Sequence, residues 1–115
     1  MKNIQLTCAH ALVKFLIAQK TLIDGKKVPL FPGVFGIFGH GNVACLGQAL
    51  QENQKNLPTW RGHHEQNMAL TGIAYSRAKR RKQIFVATSS VGPGSTNMIT
   101  AAAVAMSNRL PILFL

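Results

Sequence analysis

Short apolar runs of strand length recur between stretches of helical periodicity, and this alternation restricts the fold more than any other feature. The runs are VFGIF (residues 34–38), IFVA (84–87) and PILFL (111–115), with LPTWR (57–61) as a weaker fourth. Between them, apolar residues fall at helical spacing over residues 43–53, 66–79 and 97–107. An earlier helix is predicted over 7–18, with Thr7 as its N-cap. Strands that are apolar throughout imply burial on both faces. The expected fold is therefore α/β, a three-layer parallel sheet with helices on both faces. LIDGKKVPLFPG (22–33) reads as turn or loop, from its Asp-Gly pair and two prolines. PILFL closes the chain as a strand of the kind normally interior to a sheet, so an N-terminal piece of something longer is expected.

Right-handed crossovers between parallel strands bring the loops after the strands to one rim, where open α/β folds place ligands. Three loops qualify: GHGN (39–42), RGHHEQ (61–66) and SVGPGS (90–95). GHGNVA fits a loose G-x-G-x-x-G/A pattern, which in an NAD-type module lets a pyrophosphate approach a helix start. That reading also needs an acid at the tip of the following strand, and LPTWR offers none. A turn that simply lets strand and helix pack closely fits equally well. VGPGS lacks the Lys-Ser/Thr pair of a phosphate loop, and Pro93 removes a donor, so a rigid wall suits it better than an anion cradle.

RGHHEQ carries the sharper signal because acids are scarce. The 115 residues hold 13 Lys and Arg but only Asp24, Glu52 and Glu65, for a formal charge of +10. A glutamate in the first turn of a helix is ordinarily a dipole partner. If Glu65 faces the rim and loses water, burial is expected to raise its pKa towards neutrality. His63 and His64 are adjacent, so at most one would reach the same site.

The positive charge raises a nucleic-acid partner as a possibility, with RAKRRK (77–82) as its only dense cluster. No aromatic residues interleave with that run to stack bases, and a solvated helix end explains it better. No apolar run reaches the roughly 18–20 residues of a membrane span. Cys8 and Cys45 stand apart, without metal-ligand spacing, in a chain whose start does not read as an export signal. Buried, reduced thiols and a cytoplasmic location are expected.

Taken in order, FGIFGHGN (35–42), RGHHEQ and TSSVGPG (88–94), the last leading into an Ala-rich helix, resemble the pyrimidine-binding domain of thiamine diphosphate-dependent enzymes. That superfamily includes acetolactate synthase and pyruvate decarboxylase. The resemblance covers essentially the whole chain. Through LTCAHALVKFL, LGQAL and TSSVGPGSTN it is closer still to a branch of C–C bond hydrolases that open a cyclic diketone in inositol catabolism.

The resemblance implies that residues 1–115 are the N-terminal part of this domain, with the central and diphosphate-binding domains absent. It implies thiamine diphosphate as cofactor, and Mg²⁺ held by a domain outside this chain. It also implies a homodimer or higher oligomer with the active site at the subunit interface. Glu65 matches the glutamate that hydrogen-bonds a ring nitrogen of the cofactor's aminopyrimidine. His40 stands where some relatives carry an acid–base residue, and Asn42 with Gly92, Pro93 and Gly94 would shape the cofactor pocket. Asn67 replaces the glycine usual after Glu-Gln and is expected to crowd the helix start or the cofactor. The chain alone is expected to be inactive; the alternatives are another acetolactate synthase-like thiamine diphosphate enzyme, the NAD-type module using GHGNVA and an inactive remnant.

Overall fold

The structure is a computed structural model and describes residues 3–115. Its first helix, α1 (Cys8–Ala18), begins where the sequence places it, and Thr7 Oγ1 accepts the His10 N–H at 3.2 Å. Val13 and Leu16, three apart, put one face of α1 into the core. The next segment departs from expectation. Instead of a loop, β1 (Lys20–Ile23) and β2 (Lys26–Pro29) form an antiparallel hairpin. Asp24 (φ 50°) and Gly25 (φ 77°) are both left-handed, as a two-residue turn matching strand twist requires. Lysines and a proline are poor strand formers, and they masked a pair of strands that the Asp-Gly step specifies.

The main sheet has four parallel strands in the order β4-β3-β5-β6. They are β3 (Val34–Gly36), β4 (Thr59–Arg61), β5 (Val86–Thr88) and β6 (Leu113–Phe114). After β3 one helical stretch runs through α2 (His40–Asn42), a widened π-turn (Val43–Gly47) and α3 (Gln48–Glu52). The others are α4 (Glu65–Ala78), α5 (Pro93–Asn97) and α6 (Ile99–Asn108).

Side chains alternate across the strands, as period two demands. Val34 and Val86 pack with Val13 and Leu16 of α1 and with Ala49 and Leu50 of α3. Ala87 turns to the opposite face and packs with Ala69 and Ile73 of α4 and Ala101 and Ala105 of α6. The sheet is thus covered on both sides, as the apolar strands predict. On the α4 side Phe35 stacks on Phe85 with centroids 4.7 Å apart, and Tyr75 meets Phe85 edge-on at 4.8 Å. Gly72 lets α4 settle onto this layer, since a Cβ there would stand 3.1 Å from Phe85 Cβ and from Ile112 Cδ1.

β6 is the outermost described strand on its side of the sheet, with Leu113 and Phe114 half-buried. Two smaller expectations need correction. Cys8 and Cys45 are free but exposed, because one opens α1 and the other faces away from the core that Leu46 enters. RAKRRK is a helix end, and it is partly committed to structure. Arg81 Nε donates to the Arg109 carbonyl at 2.9 Å, at the end of α6. Among the described residues no helix is long and apolar enough to cross a membrane.

Candidate functional site

The parallel strands β3, β4 and β5 each end in a loop at the same edge, and the three loops touch. After β3, Gly39 lies against the loop that follows β5, where a Cβ on Gly39 would stand 2.8 Å from Ser90 Cβ. Asn42 Nδ2 donates to the Ser89 carbonyl at 3.3 Å. Asn42 thereby spends its amide on tying the first loop to the third. His40 opens α2 at this edge and is exposed.

The third loop is braced internally. Ser95 Oγ donates to the Ser90 carbonyl at 2.9 Å, and Thr96 Oγ1 to the Gly92 carbonyl at 3.0 Å. Gly92 is left-handed at φ 69°, where a glycine pays no steric penalty. Pro93 follows at the start of α5, a position that needs no N–H. Gly94 is buried and faces the second loop.

That loop, after β4, delivers Glu65. It is the first residue of α4 and only 9% exposed. His64 precedes it in extended backbone as the N-cap residue, and both His63 and His64 are exposed. Met68, four residues on from His64, is buried and anchors the helix start. Glu65 Oε2 accepts from Asn97 Nδ2 at 3.0 Å, and Oε1 lies beside Gly94. Asn67 is exposed in the first turn of α4.

The charge state of Glu65 runs opposite to the expectation from burial. The Asn97 amide and the residue's own backbone N–H hold the carboxyl below its ordinary value of 4.5 and outweigh desolvation, with His64 adding a smaller pull. Burial raises a carboxyl pKa only when it removes water without supplying donors, and here donors replace water. At neutral pH Glu65 is therefore an anion that accepts hydrogen bonds rather than a proton donor.

The structure thus brings Glu65, Gly94 and the Asn42-tethered first loop to one edge, as the order of strands and loops predicts. Asn97 was not singled out by the sequence. Its only advance signal is its place just beyond the GPG turn, which the topology sets opposite RGHHEQ. The site offers one buried anionic acceptor beside glycine backbone. That donor set suits the edge of a flat heterocycle bearing an N–H, and the residues present are compatible with an aminopyrimidine.

Comparison with known proteins agrees with this architecture. Residues 32–115 match the family described as thiamine pyrophosphate enzyme, N-terminal TPP binding domain. The chain is 52% identical over 114 residues, 99% of its length, to the 3D-(3,5/4)-trihydroxycyclohexane-1,2-dione hydrolase of Listeria innocua. It is 53% and 50% identical over its full length to the proteins of that name from Geobacillus thermodenitrificans and Clostridium tetani. In each case it spans 18% of the relative's length.

Proposed function

The chain belongs to the thiamine pyrophosphate enzymes, within their N-terminal TPP-binding domain, and we propose that it forms the pyrimidine-binding part of a C–C bond hydrolase. The substrate we assign is trihydroxycyclohexane-1,2-dione, a cyclic diketone of inositol catabolism, on the strength of the relatives' names. The observation that carries the reading is the position of Glu65, a buried carboxylate at the junction of the second and third loops.

When bound, thiamine diphosphate supplies the electron sink for cleaving a bond next to a carbonyl. The residues of this chain have narrower tasks. Glu65, ionised, would accept a hydrogen bond from the pyrimidine ring nitrogen once that nitrogen carries a proton, and would stabilise the positive charge there. Gly92, Pro93 and Gly94 form the wall beside it, and Asn42 holds the first loop against that wall. His40, exposed at the same edge, is the residue we assign to moving a proton at the substrate. Mg²⁺ and the diphosphate we assign to residues outside this chain. The catalytic unit we propose is a homodimer with its active site at the subunit interface.

Two observations weigh against the competing readings. Arg61 occupies the tip of β4, where an NAD-type module needs an acid for the ribose. Arg81, near the end of the basic run, donates through Nε to the end of α6, so part of the run is spent on structure.

Glu65→Gln in the protein carrying this domain tests the proposal. The variant is expected to fold and to lose exchange of the cofactor's acidic C–H proton with deuterated solvent. Near-normal exchange, or thermal stabilisation by NAD and not by thiamine diphosphate with Mg²⁺, would remove the assignment.

A further inference from the structure

One short helix grips Glu65 from two sides. α5 places Gly94 beside Oε1, where an added Cβ would stand at 3.0 Å, and Asn97 on Oε2, where Nδ2 donates at 3.0 Å. The helix is not free to swing away. Ser95 and Thr96 bind it back to the Ser90 and Gly92 carbonyls, while Met98 and Ala101, immediately after it, are buried in the core between α4 and α6. A carboxylate side chain has three rotatable bonds, so an unheld Glu65 would sample many rotamers.

We propose that Asn97 is the positioning residue of this site: by donating to Oε2 it fixes the rotation of Glu65 and commits Oε1 to the ligand's ring donor. The proposal rests on the reading of Glu65 as the ligand's acceptor. Asn97 acts through Glu65 and need not touch the ligand. An amide suits the task because it donates without carrying charge. Aspartate in its place would repel the carboxylate, and lysine would compete as an ion pair for the oxygen the ligand needs.

The test uses the protein carrying this domain, labelled with ¹³C at glutamate carboxyls. Glu65→Gln assigns the Glu65 side-chain signal by its disappearance, and Glu52→Gln that of Glu52. In Asn97→Ala the Glu65 titration midpoint is expected to move upward while that of Glu52 stays in place. Asn97→Leu, which keeps bulk but has no donor, is expected to behave the same way. Unchanged amide spectra away from α5 establish that the variants fold. Thiamine diphosphate with Mg²⁺ is then added to each. The wild-type Glu65 signal is expected to shift, and Asn97→Ala to bind roughly tenfold or more weakly, as loss of a hydrogen bond to a charged group predicts. A responsive wild type with Asn97 variants that titrate and bind identically overturns the proposal alone. A wild-type Glu65 signal that ignores the cofactor overturns the underlying reading, and the proposal with it.

Discussion

Gly94 lies so close to Glu65 that a Cβ on the glycine would stand 3.0 Å from Oε1 and overlap Ser90 Oγ. The serine hydroxyl can rotate aside, but the carboxylate is tied to Asn97. In Gly94→Ala the added methyl therefore acts mainly on Glu65. We expect a stability loss at the low end of the ~1–3 kcal/mol typical of overpacking, with a disproportionate loss of thiamine diphosphate affinity. Gly92→Ala should show the reverse pattern. There is open space around that position, but its φ of 69° with ψ −118° is a sparsely populated combination that costs a non-glycine residue about 1–3 kcal/mol. Urea denaturation and cofactor titration of both variants separate the two effects, and equal losses in both assays would contradict this account.

The lowered pKa of Glu65 fixes the sign of its contribution to stability. Between its folded-state value and its ordinary value of 4.5, the unfolded chain binds more protons than the folded one. Stability therefore rises with pH across that interval, is fully present above it, and is lost as pH falls through the folded-state pKa. Glu65→Gln should flatten the acid limb of a plot of unfolding midpoint against pH, measured from about pH 3 to pH 6. Glu52 is also lowered, chiefly by its bond from His10 Nε2 at 2.8 Å, so some acid sensitivity should survive in the variant. An acid limb steeper than wild type would reverse the assigned direction.

What could be read from the sequence follows from how local each determinant is. Apolar strands separated by helical spacing dictate a parallel sheet, and the sense of the crossovers then collects the loops. Glu65 stood out because each acid is rare, and each has a separate place. Asp24 makes a turn, Glu52 ties α3 to α1 through His10, and only Glu65 sits at the loop junction. The hairpin of β1 and β2 was hidden by side chains that disfavour strands, although the Asp-Gly turn specifies it. Asn97 could not be assigned a role because its partner is 32 residues away and is met only after α4 and α5 pack. The same limit reversed the expected pKa shift: the sequence leaves open whether Glu65 is buried or exposed, and it does not show the donor that replaces its water.

The basic run offers a matched pair. Arg80 (φ 51°) and Arg81 (φ 63°) are consecutive left-handed residues, a conformation that glycine adopts freely. Replacing either by glycine removes one positive charge. Only Arg81 holds the end of α6, through the Arg109 carbonyl at 2.9 Å and, more weakly, that of Asn108 at 3.5 Å. Arg80→Gly should therefore stabilise the protein, by up to about 1 kcal/mol. Arg81→Gly should gain less or nothing. Identical shifts in thermal midpoint would mean that charge, not the bond, governs this loop.

The last prediction concerns the layer beneath the site. Leu50 of α3 is 1% exposed and packs against the sheet face formed by Val34 and Val86, whereas Phe15 of α1 is 60% exposed although it is the larger side chain. Removing apolar atoms costs free energy only where water had been excluded and neighbours cannot close the gap. Leu50→Ala should lower unfolding free energy by roughly 2–5 kcal/mol, the range for buried leucine truncations. Phe15→Ala should stay within about 0.5 kcal/mol of wild type, as substitutions away from packed features do. Because the first loop leaves β3 and enters the helix that Leu50 anchors, Leu50→Ala should also loosen the Asn42 bond to the Ser89 carbonyl. Hydrogen exchange at the Ser89–Gly92 amides reads that directly: protection should fall in Leu50→Ala beyond what the global loss of stability explains, and remain at wild-type level in Phe15→Ala.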